Sequence, residues 1–210
     1  MENNIKNKFA GKFIVLDGGD GCGKSTQANL VSQWLNENGV ETATFRDPGD
    51  TVIGEKIREI LLDTAHESMA DNTELLLYMA ARAQLWKEKI APALAADKCV
   101  IMDRWVSSTC AYQGCAGNFG IEKVIRIAND TLERTWPDIT IILEANLETT
   151  AKRMDRDLDR MEQKGDCYHN KVRQGFSQLA DNYEKVIKTD ASKTIEQVFA
   201  DVKKTLENSI

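Results

Sequence analysis

DGGDGCGKST, residues 17–26, limits what this chain can fold into more than any other stretch. It follows the apolar run Phe13-Ile14-Val15-Leu16 and precedes a segment with helical periodicity. It fits G-x-x-x-x-G-K-[ST] with Gly18, Gly23, Lys24 and Ser25. Such glycines let consecutive backbone N–H groups turn inward around a phosphate, and the helix that follows adds the positive end of its dipole. Strand, loop and helix in that order separate a phosphate loop from a chance glycine-rich turn. Gly18, Gly19, Asp20, Gly21, Cys22, Gly23, Lys24, Ser25 and Thr26 are therefore candidates to bind ATP. Lys24 is expected to reach the β- and γ-phosphates, and Ser25 to ligate Mg2+ through its hydroxyl. Cys22 reads as a small residue filling an alanine-sized slot, or as a reactive thiol near a helix N-terminus.

The same alternation continues. Apolar runs at 12–17, 41–46, 99–103, 139–145 and 186–189 read as strands. Helical periodicity covers 24–38, 54–63, 72–96, 106–115, 121–135, 147–182 and 194–207, with Thr194 and Gln197 forming a capping box. The expectation is one α/β domain over residues 1–210, a five-stranded parallel sheet between layers of helices, with a flexible tail over about 1–11. Ligands in such sheets bind beyond the carboxyl ends of the strands. There the sequence places the phosphate loop, Arg46-Asp47-Pro48-Gly49 and Asp103-Arg104. Asp103 is a candidate second metal-side carboxylate, although an Asp ending a strand also serves as a helix cap.

A net charge of −6 argues against a general nucleic-acid binder, so any anionic ligand must meet local clusters of Arg and Lys. No apolar run is long enough to span a bilayer, and the polar start resembles no export signal. Five cysteines without a C-x-x-C pair, and only His66 and His169 beside them, point to free thiols in a cytoplasmic protein rather than zinc.

Guanine-reading N-K-x-D and the protein-kinase signatures H-R-D and D-F-G are absent, which leaves a small acceptor. An acceptor that is itself a phosphate needs no strong base; its difficulty is repulsion from the donor, which converging guanidinium groups relieve. Arg46, Arg82 and Arg104 lie in or next to expected site segments, and Arg153, Arg156 and Arg160 share one face if helical. The latter run also reads as a solvated face, since Asp155, Asp157 and Asp159 interleave it. Tyr78 and Arg82 are four apart and could stack and hydrogen-bond a base, or Tyr78 could be core. Ser108 and Tyr112 repeat that spacing after Arg104.

DGGDGCGKSTQ, FRDPGDTVIGEKIREILL, ELLLYMAARAQL, DRWVSSTCAYQG, LDRMEQ and TDAS, in this order, resemble the thymidylate kinase family across about residues 12–207. The resemblance implies a nucleoside-monophosphate-kinase fold with a lid at about 150–165, usually in a homodimer. It implies phosphoryl transfer from ATP to dTMP with Mg2+. It implies that Asp20 meets the 3′-hydroxyl, Arg46 and Arg104 hold the acceptor phosphate, Tyr78 stacks on thymine and Arg82 binds its O4 edge. Thr109 would lie near N3, Tyr112 would crowd the 2′ carbon, and Gln113 would lie beside it. Arg153 or Arg156 would supply charge at the transferring phosphoryl, with Arg160 anchoring the lid. Asp50, where the family often has Gly, and Trp105, where it has Tyr or His, depart from the pattern. A kinase preferring dUMP or another pyrimidine deoxynucleotide, and a non-catalytic nucleotide-binding regulator, are the alternatives.

Overall fold

Consecutive residues of β1 (Phe13–Gly18) face opposite sides of the sheet, and both sides of this strand are apolar. Phe13 and Val15 enter one core; Ile14 and Leu16 enter another. β3 (Cys99–Asp103) and β4 (Ile139–Glu144) divide likewise, Val100, Met102 and Ile142 on the first side, Ile101, Ile141 and Leu143 on the second. Strands buried on both faces must be covered by helices on both, and each such side chain contributes about 1.5–3 kcal/mol of burial. The structure, a computed structural model, describes residues 2–146, 149, 150, 153 and 157–210.

β2 (Thr42–Arg46) and β5 (Val186–Asp190) complete a five-stranded parallel sheet of order β2-β3-β1-β4-β5. α1 (Glu2–Phe9) and α2 (Lys24–Glu37) lie on the second side, with the last helix, Ile195–Ser209. Its start carries the expected capping box of Thr194 and Gln197. α3 (Val52–Leu62) packs on α4 (Asp71–Leu85), which continues through a π-helical turn, Trp86–Ile90, into α5 (Ala91–Ala95). α6 (Val106–Thr109) runs into a second π-helical segment, Cys110–Ala116, and is followed by α7 (Ile121–Thr131) and α8 (Asp166–Asn182). No helix among the described residues is long and apolar enough to cross a membrane.

Two expectations are corrected. The segment at the N-terminus is helical rather than a loose tail, because Phe9 is fully buried edge-on against Trp34, 5.5 Å between ring centres. The segment 147–182 is not one helix. Residues 157–159 are non-helical, and the Asp159 carboxylate accepts the Met161 and Glu162 N–H groups at 2.9 and 3.0 Å, capping a separate turn. Part of that segment, Arg156 included, lies outside the described residues.

Candidate active site

The phosphate loop is shaped by glycines at two points. Gly18 has φ 135°, and a Cβ there would sit 2.4 Å from the Leu143 carbonyl oxygen; Gly23, at φ 94°, starts α2. Among the described residues no side chain caps the start of α2, so its N–H groups remain for an anion. The Lys24 amino group donates to the Gly19 carbonyl at 2.7 Å and the Gly18 carbonyl at 3.3 Å, folded over its own loop. Ser25 Oγ donates to Asp103 Oδ2 at 2.5 Å, joining the loop to the end of β3. Asp103 thus stands beside the expected metal hydroxyl rather than capping a helix. Cys22 is buried, in keeping with the slot-filling reading.

Arg104 is the hub of the acceptor side. It has φ 72°, in the left-handed region, which aims its guanidinium back across the loop. Nη1 donates to the Gly18 carbonyl and to Ser108 Oγ, both at 2.9 Å, Nη2 pairs with Asp20, and the group lies 5.3 Å over the Tyr112 ring. Tyr112 donates its hydroxyl to Asp20 Oδ2 at 2.8 Å. Burial and the adjacent Asp20 carboxylate push the Tyr112 phenol upward against the pull of Arg104, so it stays a neutral donor. Burial works against the Asp20 carboxylate, but Arg104, Lys24 and Tyr112 outweigh it and hold it well below the usual range. Ser108 and Tyr112 therefore meet through Arg104.

Two carboxylates to which no role was assigned from the sequence complete this side. Asp17, fully buried, accepts from Ser107 Oγ at 2.5 Å and Ser108 Oγ at 2.6 Å, fixing α6 against β1. Asp47 accepts Arg82 Nε at 2.8 Å and Nη2 at 2.5 Å. A charge closing an otherwise apolar strand was the available signal for Asp17; Asp47 was marked only by its place beyond the carboxyl end of the second strand. Arg58, also passed over, donates to the Pro48 carbonyl at 2.9 Å and lines the cavities on both sides.

Arg46 is half exposed and pairs with Glu55 at 3.0 Å. Asp50 takes φ 60°, a conformation easiest for Gly, and stabilises it by accepting the Arg46 N–H at 2.5 Å. That is how an Asp is accommodated at this turn. Trp105 packs into the core, 5.4 Å from the Phe13 ring, and donates Nε1 to the Thr135 carbonyl at 2.8 Å.

Arg153 and Arg160 do not share a face. Arg153 donates to the Ala191 carbonyl at 3.1 Å, on the phosphate-loop side. Arg160 is buried at the turn, where Nε donates to the Leu61 carbonyl at 2.7 Å. Its Nη2 lies 2.7 Å from Glu74 Oε2, an ion pair rather than an aligned hydrogen bond. Glu74 in turn accepts from Gln113 Nε2 at 2.8 Å.

A cleft of about 720 Å3 runs from Asp20 to Thr26 past Arg46, Asp103 and Arg104 to Arg153 and Ala191. A narrower cavity of about 100 Å3 is lined by Tyr78, Arg82, Arg104, Ser108, Thr109, Tyr112 and Gln113. Asp20, Asp47, Arg58 and Arg104 are among the walls the two share, with Leu62, Asp159 and Glu162. A parallel sheet with a phosphate loop after β1, opening into an arginine-rimmed second cavity, defines a P-loop kinase of the nucleoside-monophosphate-kinase class. The thymidylate kinase family profile matches residues 16–202. A thymidylate kinase of Caldanaerobacter subterraneus is 40% identical over 199 residues, 94% of this chain and 95% of that one. One from Halalkalibacterium halodurans is 36% identical over 205 residues, 95% and 98% of the two chains. The crystal structure of thymidylate kinase from Ehrlichia chaffeensis superposes with TM-score 0.73 at 29% identity, covering 94% of this chain and 99% of that one. The chain belongs to the thymidylate kinase family.

Proposed function

We propose that this chain transfers the γ-phosphoryl group of ATP to the 5′-phosphate of dTMP, giving ADP and dTDP for dTTP synthesis. The observation that carries the reading is the shared wall: the aromatic and polar cavity of Tyr78, Arg82, Thr109 and Tyr112 opens through Arg104 onto the phosphate loop. Loop N–H groups and Lys24 hold the donor triphosphate, and Arg46, Arg58 and Arg104 draw the acceptor phosphate in against its repulsion. Tyr78 stacks on the base and Arg82 donates to its O4 edge. Asp20 and the Tyr112 ring take the sugar, the ring closing off the 2′ side. Arg153 approaches the donor side, and residues of about 150–165 act as the lid that excludes water.

Mg2+ fits the residues present. The Ser25 hydroxyl and Asp103 carboxylate are hard oxygen ligands 2.5 Å apart at the mouth of the loop, and this ion is usually held by one or two protein oxygens with phosphates and water. When bound it would neutralise charge between the β- and γ-phosphates. A cytoplasmic setting suits the five free cysteines. Homodimer formation, with each chain folding as one unit, would cover Ile53, Ile60 and Leu76, which are exposed on α3 and α4.

The test is ADP release from Mg·ATP with dTMP, dUMP, UMP and AMP as acceptors, with Lys24→Ala as the blank. Turnover on dTMP that Lys24→Ala reduces by about 10²-fold or more, the loss of a charged phosphate contact, supports the proposal. Silence on all four acceptors, or full activity in Lys24→Ala, overturns it.

A further inference from the structure

Arg82 reaches the acceptor cavity from α4, yet its side chain is only 1% exposed and almost every polar direction is already taken. Nε and Nη2 both donate to Asp47 Oδ2, and Nη2 also reaches Thr109 Oγ1 at 3.0 Å and the Trp105 carbonyl at 3.3 Å. The guanidinium carbon lies 5.3 Å over the Trp105 ring. That leaves Nη1, whose contact among the described residues is the Met79 sulfur at 3.4 Å. A guanidinium is planar, so fixing Nε and Nη2 also fixes where Nη1 points.

Stability alone is a poor account of this pair. Asp47 is fully buried, its Oδ1 has no hydrogen-bond partner among the described residues, and burial raises its carboxyl despite Arg82. An apolar pair of similar volume would be as stable or more so. Retaining two buried charges with an unsatisfied oxygen makes sense where the geometry of one of them matters.

We infer that Asp47 is a positioning residue for base selection: it locks the Arg82 fork so that Nη1 alone offers a hydrogen-bond donor to the 4-position of the bound pyrimidine. This rests on the proposed reading that the base lies against Arg82. A 4-keto base such as thymine or uracil accepts that hydrogen bond. A 4-amino base such as cytosine presents a second donor, which faces Nη1 unpaired. Without Asp47 the fork can turn, and the rejection of 4-amino bases weakens.

The experiment compares steady-state kinetics on dTMP and dCMP for the full-length wild type, Asp47→Asn and Asp47→Glu. Wild-type silence on dTMP refutes the functional reading before Asp47 enters. With wild-type turnover in hand, Asp47→Asn is expected to raise the KM for dTMP about 10–100-fold, the weight of one hydrogen bond to a charged group. The KM for ATP should stay put, and the preference for dTMP over dCMP in kcat/KM should fall at least tenfold. Asp47→Glu, which restores the charge, should recover most of that preference. An unchanged preference in Asp47→Asn, or equal increases in both KM values, overturns the inference. Should Asp47→Asn not fold, ¹⁵N spectra of wild-type arginine side chains decide, with Arg82 assigned by its loss in Arg82→Lys. Separate Nη1 and Nη2 signals for Arg82 without substrate are expected; a single averaged signal means a freely turning fork and refutes the lock.

Discussion

Removing Glu74 should loosen the turn at Arg160 from the acceptor site and cost more stability than most substitutions in this chain. The Arg160 and Glu74 side chains are 6% and 4% exposed and 2.7 Å apart. Glu74→Ala leaves the Arg160 guanidinium buried with the Leu61 carbonyl as its hydrogen-bond acceptor, a loss of about 3–5 kcal/mol. The Gln113 amide, 2.8 Å from the other Glu74 oxygen, adds about 1 kcal/mol. Lys164, 3.5 Å away and 30% exposed, can turn to water and adds little. At about 2–4 °C per kcal/mol for a domain of this size, the melting temperature should fall by about 8–24 °C. Glu74→Leu with Arg160→Met removes both buried charges together. What remains is then the unpaired amide and the lost Leu61 contact, about 1–3 kcal/mol. Urea unfolding of wild type, Glu74→Leu, Arg160→Met and the double variant gives the coupling directly. Because Gln113 borders the acceptor cavity, the KM for dTMP should rise more than that for ATP in Glu74→Ala. A loss below about 1 kcal/mol for Glu74→Ala, or a double variant as weak as the two singles added, would refute the buried-pair account.

Other outcomes follow from the same geometry. Tyr112→Ala should narrow the gap between dTMP and the ribose form of the same nucleotide, whereas Tyr112→Phe, which keeps the ring, should leave it; equal effects would remove the ring from sugar selection. Asp20 is depressed in the folded state, so its stabilisation is complete above the ordinary carboxylate pKa of about 3.9 and is lost as pH falls below it. Unfolding of Asp20→Asn against wild type should show a stability gap at pH 7 that closes in acid; a gap independent of pH contradicts the assignment. Arg153→Ala should lower kcat with little change in the KM for dTMP, since its contacts lie with Ala191 and Lys193 on the donor side. A rise confined to that KM would place it with the acceptor instead.

What could be read from the sequence, and what could not, divides by the distance over which the cause acts. The strands declared themselves because residues such as Ile14 and Val15 are apolar on both faces, a property each stretch carries alone. The phosphate loop did so because its glycines answer a local backbone demand. The acceptor residues were legible only as helical spacings, and even these worked through intermediaries: Ser108 and Tyr112 both meet Arg104. Periodicity misled at Arg153 and Arg160, where the Asp159 side chain closes a turn that interrupts the expected face. Asp20 and Asp103 were legible as site carboxylates, but the roles of Asp17 and Asp47 were not. Asp47 and Arg82 are 35 residues apart, Asp17 and Ser108 are 91 apart, and separations of that size leave no local sign of who pairs with whom. From the sequence Asp47 is one residue of a segment beyond the second strand; the approach of α4 to the end of β2 makes it the buried partner of Arg82. Residues that touch a ligand are marked by their chemistry, while the residues that aim them are marked by tertiary packing. Variation among related kinases in base preference is therefore to be sought in the partners of Arg82 as much as in Arg82 itself.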